Sequence, residues 1–519
     1  MSRRTSQACD ACRYRKVKCN GARPCSQCAH LNLSCNFSVA PVKRRPGGRG
    51  HLVAQLRTRQ VRTGMVHGAQ SLPTISRTDL KDRDTHSIRP APGAHILPVG
   101  FFLELLPQFS HFVYPLNPII SPDEIRQSIA SMHITADDEA LVYAFAAVTI
   151  NRTQAYSTLH GSFAGLMANL IRHSLKAYRE GEINGYDWEG GGLGHLPVNI
   201  KRVMTCIFLG ICMIPFGQFD RSFFILREAI TIIQTRDVHR WQANDDPESR
   251  REVARWQRVY WEAYIHERSL ALMPSFPSIL TALETGLPMA DTSIPAHVDL
   301  GFRRLIHLFL VQDETFFAHW RAQHSPGHPA PDMTAGWIEF KQAQLDDNEV
   351  GTAEEVALLQ AQGLGSLTEF QQADLVITRI WLRTLVWQLA LSHGLLCSAP
   401  SQSPEESLSF HFPVERLSTE LRNLVDHLQS VASVGIHGHG ILQKLFDIVT
   451  TVADVLTLPL TPGQVEQSTV KRMDDFLRIV KFLLRFEGTA TEQRNYVRAR
   501  VKALQEIYTF VDFGEAMML

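Results

Sequence analysis

The sequence predicts two unlike folded parts joined by a flexible basic linker: a small cysteine-organised module at the N-terminus and a large all-α body. Three observations carry this. Six of the nine cysteines fall within the first 35 residues. Residues 1–63 hold 14 Lys/Arg against one acid, Asp10, whereas the rest of the chain holds 38 Lys/Arg against 51 Asp/Glu. From about Ala94 onward, apolar residues recur at helical spacing and no alternating strand pattern competes. A chain of 519 residues is long enough for a small module and one large or two medium domains. The composition shifts set the expected boundaries at 1–42, 43–94 and 95–519.

The module comes first. Its cysteines are Cys9, Cys12, Cys19, Cys25, Cys28 and Cys35, a C-x2-C-x6-C half-motif repeated after a five-residue loop. Disulfides or metal would explain such density. Disulfide frameworks belong to small secreted domains, and secretion takes an apolar leader. Residues 1–35 hold no apolar run, so the expected compartment is the cytosol or nucleus. Thiols stay reduced there, and paired Cys-x2-Cys units read as zinc ligands. Each pair sets two thiolates on one turn, as an edge of a tetrahedron. Six thiolates cannot fill two separate four-coordinate sites, so two tetrahedral ions need two bridging thiolates. The repeat nominates the first cysteine of each half, Cys9 and Cys25.

With all six spacings matched, the segment resembles the fungal binuclear zinc-cluster (zinc-2-cysteine-6) DNA-binding family. The resemblance implies two zinc ions, one on Cys9, Cys12, Cys19 and Cys25, the other on Cys9, Cys25, Cys28 and Cys35. Pro24, directly before Cys25, stands where such clusters commonly carry a proline. After Cys12 comes Arg13-Tyr14-Arg15-Lys16-Val17-Lys18, four cations on a turn that the metal would pin as a helix start. Arg and Lys pair with guanine O6 and N7 in the major groove. The resemblance assigns base contacts to the third and fourth residues after the second cysteine, Arg15 and Lys16, reading CGG-type triplets. Arg13 and Lys18 then grip phosphate and set register. Arg15 departs from the lysine frequent in the family.

The charge pattern agrees with a polyanion partner for this arm alone. The first 63 residues carry a net +13, lowered to about +11 by two zinc ions and six thiolates, and the remainder carries −13.

From Pro41 to Ala94 the chain turns to Arg, Gly, Pro, Ser and Thr, a composition that cannot bury a core. Lys43, Arg44 and Arg45, with Arg49 beyond them, read as a phosphate-gripping extension and a nuclear-import signal. Leu52 and Leu56 start a heptad, but Arg59, Arg62 and Gly64 fill the following turns. A coiled coil needs three to four heptads, so dimerisation and half-site spacing are left open.

The body reads as helices in series. Phe101, Phe102, Leu105, Phe109 and Phe112 form an apolar stripe that Pro107 interrupts. Ser121-Pro122-Asp123-Glu124 combines an N-cap, a proline at the first helical position and an acid at the third, ahead of Ile125, Ile129 and Met132 on one face. Thr135 starts another helix into the small, apolar run before Asn151. Phe223, Leu226, Ile230 and Ile233 keep helical spacing, as do Phe476, Ile479, Val480, Leu483 and Leu484. Residues 203–219 are 17 without charge, at the short limit for a membrane span and spoiled by Pro215, Gly217 and Gln218. They read as a buried core helix of a soluble protein.

Residues 98–135 and 138–150 are similar to the opening of the fungal transcription-factor middle homology region. Arg250, Arg251, Glu252, Arg255-Trp256-Gln257-Arg258-Val259-Tyr260-Trp261 and His266-Glu267-Arg268 look like its arginine- and tryptophan-rich helix. Where that family continues Gly-Arg-Pro, this chain has Ser275-Phe276-Pro277. The likeness covers about 95–400 and implies a helical regulatory domain that takes a small-molecule effector.

No catalytic set emerges. His266-Glu267 lacks the second histidine of a His-Glu-x-x-His zinc site and reads as a helix-surface pair. Gly190–Gly194 follows no strand, His437-Gly-His439 lies in a Gly-rich turn, and Cys206 and Cys212 read as core packing. The sequon at Asn151 is idle in a nuclear protein. The tail Val511–Leu519 mixes acids with apolar residues, as activation segments do, and reads equally as a frayed last helix. The expected function is a nuclear, non-enzymatic, sequence-specific regulator of RNA polymerase II genes. It would act on a pathway or a secondary-metabolite gene cluster, with double-stranded DNA and the transcription machinery as partners. The competing reading is a ligand-binding helical regulator or enzyme carrying the cluster as an accessory.

Overall fold

The structure, a computed structural model, describes Asp10, Ala22 and the six N-terminal cysteines, then most of 97–509. Within that range it describes 97–153, 163–184, 197–238, 246–273, 276–324, 332–397, 408–409, four residues of 420–425, 439–457, 466–484 and 491–509. The chain divides into two units, Met1–Ser71 and Leu72–Leu519.

Among the described residues the second unit is mostly helical, and its local signals explain where helices start. α1 (Val99–Gln108) buries Phe102, Leu105 and Leu106. Pro107 does not interrupt the stripe as its chemistry suggested. The helix runs through it and widens into a π turn at Phe109–Val113, where the Tyr114 N–H donates to the Phe109 carbonyl at 2.9 Å. A proline lacks one N–H and crowds the carbonyl four residues before it, that of Leu103; the π turn lies beyond both, and Phe109 and Val113 stay buried.

α2 (Pro122–Ser131) opens on a complete capping box: Ser121 Oγ accepts the Glu124 N–H at 3.2 Å and Glu124 Oε2 accepts the Ser121 N–H at 2.8 Å. Ile125, Ile129 and Met132 are buried as their spacing requires. Thr135 Oγ1 accepts the Asp138 N–H and starts α3 (Ala136–Thr153), which is buried without a break from Ala140 to Ile150. Small side chains suit that position, because α2, α4 (Phe163–Asn184) and α5 (Ile200–Met213) all press against it.

The long uncharged run is α5. It stops at Met213, Pro215 lies in a 3-10 turn, and Gly217 leaves that turn at φ +66°. α6 (Phe219–Thr235) follows and packs on α5, burying Leu226, Ile230 and Ile233, while Phe223 stacks on Phe276 at 4.4 Å. α7 (Pro247–Ala271), capped by Asp246, lies on both and on α8 (Ala296–Phe309). α9 (Glu314–His324), α10 (Ala335–Ala361) and α11 (Glu369–Ser392) complete a second group around α11.

By length and composition α11 could cross a membrane, yet 78% of its apolar window is buried inside the body. It holds Arg383 at 1% exposure, paired with Asp346 at 2.9 Å. Its start is a second capping box, Thr368 with Gln371. The same Gln371 amide donates to the Pro115 and His297 carbonyls, at 3.2 Å each, and lies where a Cβ on Gly301 would be 2.3 Å away. A side chain at 301 would push that amide away from the Pro115 and His297 carbonyls.

Two residues per strand, Leu396–Cys397 and Leu408–Ser409, pair in parallel, a detail the helical reading did not contain. α12 (His439–Leu456) packs on α11, α13 (Glu466–Leu484) and α14 (Thr491–Ile507). Phe476, Ile479, Val480, Leu483 and Leu484 are all buried.

Candidate metal centre

The Sγ atoms of the six N-terminal cysteines gather into two groups of four. Cys9, Cys12, Cys19 and Cys25 lie within 4.8 Å of one another, and so do Cys9, Cys25, Cys28 and Cys35. Cys9 and Cys25 belong to both. A zinc–sulfur bond is about 2.3 Å, so the edge of a zinc-centred sulfur tetrahedron is about 3.8 Å. The separations are 3.8 Å for Cys9–Cys25, 3.6 Å for Cys9–Cys28 and 3.5 Å for Cys12–Cys25. The donor set therefore suits two tetrahedral ions that share two thiolates.

Local backbone geometry holds the shared sulfurs in place. The Cys12 N–H donates to Cys9 Sγ at 3.5 Å, and the Cys28 N–H donates to Cys25 Sγ at 3.4 Å. This is the same turn made twice, as expected of a repeated Cys-x2-Cys. The Cys25 N–H in turn donates to Cys35 Sγ at 3.2 Å. Cys9, Cys12, Cys25 and Cys28 are fully buried, and Cys35 is the partly exposed member.

Burial pushes the Cys9, Cys12 and Cys28 thiols up, and for Cys12 and Cys28 the crowding of neighbouring sulfurs adds to it. Burial also acts on Cys25, but the Cys28 N–H and the thiols of Cys28, Cys12 and Cys9 bring it down to about 6. Three of these groups thus keep their protons unless a cation replaces them. Metal uptake in such a site releases protons, and the zinc charge then neutralises the thiolates.

Residues 7–44 match the fungal Zn(2)-Cys(6) binuclear cluster domain. Along most of the chain, the maltose fermentation regulatory protein MAL33 of Saccharomyces cerevisiae is 21% identical over 455 residues, 86% of this chain and 84% of that one. The chain is therefore similar to fungal zinc-cluster transcription regulators over most of its length. A probable sucrose utilization protein, SUC1 of Candida albicans, is 20% identical over 486 residues, covering 92% and 84%. The quinic acid utilization activator of Emericella nidulans is 42% identical over 64 residues, 12% of this chain and 7% of that one. The cluster domain matched by residues 7–44 is of the kind that binds two zinc ions.

The proposed DNA-contacting residues Arg13, Arg15, Lys16, Lys18, Lys43, Arg44 and Arg45 lie outside the described residues, as do Gly190–Gly194, His437 and the tail from Val511. In the body, Cys206 and Cys212 are buried, and burial pushes the Cys206 thiol up to about 12. Asn151 is buried on α3 and offers no surface for a glycan.

His266-Glu267 is not a surface pair. Glu267 is 1% exposed, and four donors converge on its carboxylate: Arg227, Ser278 and the N–H groups of Ile279 and Leu280, all at 2.8–3.0 Å. It clamps the segment after α7 rather than holding a metal. His266 bonds Glu262 at 2.8 Å. Arg268 assists the clamp through the Leu280 carbonyl and Ser278 Oγ, and Arg258 reaches Asp299 at 2.6 Å and the Met289 carbonyl at 3.1 Å. These buried arginines replace water by fixed acceptors and make α7 the post around which 276–299 is wound.

A gap between Pro115, Leu116, Phe302, Leu305, Gln371 and Asp374 has no room for a water molecule. Small-molecule sites run from roughly 300 to 1,000 Å³, so this gap is packing space and no effector pocket.

Proposed function

We propose that the chain is a sequence-specific DNA-binding regulator of RNA polymerase II genes, acting in the nucleus as an activator of a utilisation pathway. The observation that carries it is the pair of four-thiol groups sharing Cys9 and Cys25. In this reading Cys9, Cys12, Cys19 and Cys25 hold one zinc ion, and Cys9, Cys25, Cys28 and Cys35 hold the other. Zinc fixes the chain at both ends of 12–19, which orients the basic turn between them. Arg15 and Lys16 read a CGG-type triplet, while Arg13, Lys18 and the run Lys43, Arg44 and Arg45 contact phosphate. Most of the binding free energy comes from counterion release by this arm, and specificity comes from the two base contacts.

The pathway assignment leans on the body. Relatives that align over 86–92% of the chain are named for maltose fermentation and sucrose utilization, and another, over 87%, is named a respiratory transcription factor. A fumonisin cluster-specific factor aligns over 45 residues only. Sugar utilisation therefore has better support than control of a metabolite cluster.

The test is selection of bound sequences from random DNA by the full chain, followed by the Arg15→Ala variant. Loss of about 1–3 kcal/mol on the preferred triplet, with one base position blurred, is expected. Equal loss on every sequence would make Arg15 a phosphate contact and remove it from the reading head.

A further inference from the structure

The six sulfurs of the metal centre are not equivalent towards solvent. Cys9, Cys12, Cys25 and Cys28 are fully buried and Cys19 is 6% exposed, whereas Cys35 is partly exposed. The Ala22 carbonyl stands 3.9 Å from Cys35 Sγ, and Ala22 is itself exposed. The Cys25 N–H reaches the same sulfur at 3.2 Å, a donor that steadies negative charge on it. Oxidants attack thiolates, and they meet first the one that solvent reaches.

A partner for an oxidised Cys35 is close by. Cys9, Cys25 and Cys28 have their sulfurs within 4.8 Å of it. Cys9 and Cys25 belong to both groups of four, whereas Cys28 belongs to the group of Cys35 alone. Cys28 is the one of the three that can give up a metal ion without taking a ligand from the other group. The zinc ligand is the thiolate, so a sulfur tied up in a disulfide no longer holds the ion.

We propose that Cys35 is a peroxide-reactive site whose oxidation to a Cys28–Cys35 disulfide releases one of the two zinc ions. The Cys35 thiolate attacks hydrogen peroxide: an S–O bond forms, the O–O bond breaks, and hydroxide leaves and takes a proton from solvent. The Cys28 thiolate then attacks that sulfur: the S–S bond forms, the S–O bond breaks, and a second hydroxide leaves as water. Two thiolates have lost two electrons in all, one peroxide has become two waters, and zinc keeps its oxidation state. Cys9, Cys12, Cys19 and Cys25 remain a complete set for the other ion. The chain stays held at both ends of 12–19, and a thiol reductant with zinc restores the lost site.

The experiment treats the zinc-loaded full chain with one equivalent of hydrogen peroxide and follows zinc release with a coloured indicator. The oxidised cysteines are then mapped by mass spectrometry after free thiols have been alkylated. Release should stop near one zinc ion per chain, the mapped disulfide should join Cys28 to Cys35, and dithiothreitol with added zinc should reverse both. Cys35→His exchanges the exposed thiolate for a nitrogen ligand and should lose the rapid release. Cys19→His makes the same exchange in the other group and should release zinc as the wild type does. The mapping uses the wild-type chain, so it decides the matter even where a histidine variant binds zinc poorly. A disulfide that omits Cys35, release of both ions together, rapid release retained in Cys35→His, or its loss in Cys19→His would each overturn the switch while leaving the two-ion cluster standing. The switch rests on that cluster, and a wild-type chain that takes up no zinc before peroxide would overturn both.

Discussion

If Cys9 and Cys25 serve both metal ions, then removing either should cost more metal than removing a cysteine that serves one. In Cys35→Ala the group Cys9, Cys12, Cys19 and Cys25 remains whole. In Cys9→Ala each group keeps three sulfurs, and neither is a closed tetrahedron. A structural zinc site gains about 10–16 kcal/mol from four ligands, so the loss of one in each site puts both out of reach of trace zinc. The expected content by elemental analysis after desalting is about two zinc per chain for wild type, about one for Cys35→Ala and well under one for Cys9→Ala or Cys25→Ala. Folding of the body serves as the internal control, since its core holds none of these residues. Equal metal loss from Cys9→Ala and Cys35→Ala would refute bridging and with it the two-ion arrangement.

Three other outcomes are expected. A chelator should abolish DNA binding while leaving the far-ultraviolet circular dichroism of the body in place; retained DNA binding in metal-free protein would sink the zinc role. Glu267→Gln should destabilise the body by about 2–4 kcal/mol in urea unfolding, because an amide nitrogen cannot accept from Leu280 N–H and leaves Arg227 without its counter-charge. A change within 0.5 kcal/mol, on the order expected of an exposed pair, would contradict the clamp. Asp447 provides a pH test. Burial raises its carboxyl to about 6 although Trp381 and Gln443 donate to it at 2.9 and 2.7 Å. A folded value above the unfolded one means that the protonated form is favoured, so its stabilisation is complete below about pH 4 and lost as pH rises through about 6. Asp447→Asn should therefore stabilise the body at pH 7.5 by about 1–2 kcal/mol and by much less at pH 4.5. The same gain at both values would exclude that titration.

Local chemistry was legible wherever a residue acts on its sequence neighbours. Ser121 and Glu124 close their own turn, so the start of α2 could be read without knowing what α2 touches. The cysteine spacing is legible for the same reason, since a Cys-x2-Cys turn needs only four residues. Pro107 misled because the stripe is held past it by Phe109 packed on Phe145 and Phe208 at 5.2 and 6.3 Å, contacts that come from distant parts of the chain. His266-Glu267 misled because Arg227 and Ser278 come from other parts of the chain.

What the sequence by itself determined is the metal chemistry: six sulfurs in two like halves, a basic turn between two of them, and an acidic helical remainder. Spacing and charge suffice there, because a metal ion acts over a few ångströms on residues near in the chain. Only the tertiary structure decided which polar residues go inside. Arg258 and Arg255 lie three apart on α7; the first is buried on Asp299 and the second half-buried on the Ile119 carbonyl and Glu124. Lys341 is buried while Phe340 beside it faces outward. Burial of a charge depends on whether a distant segment supplies an acceptor at that point, and no periodicity along the chain carries that information.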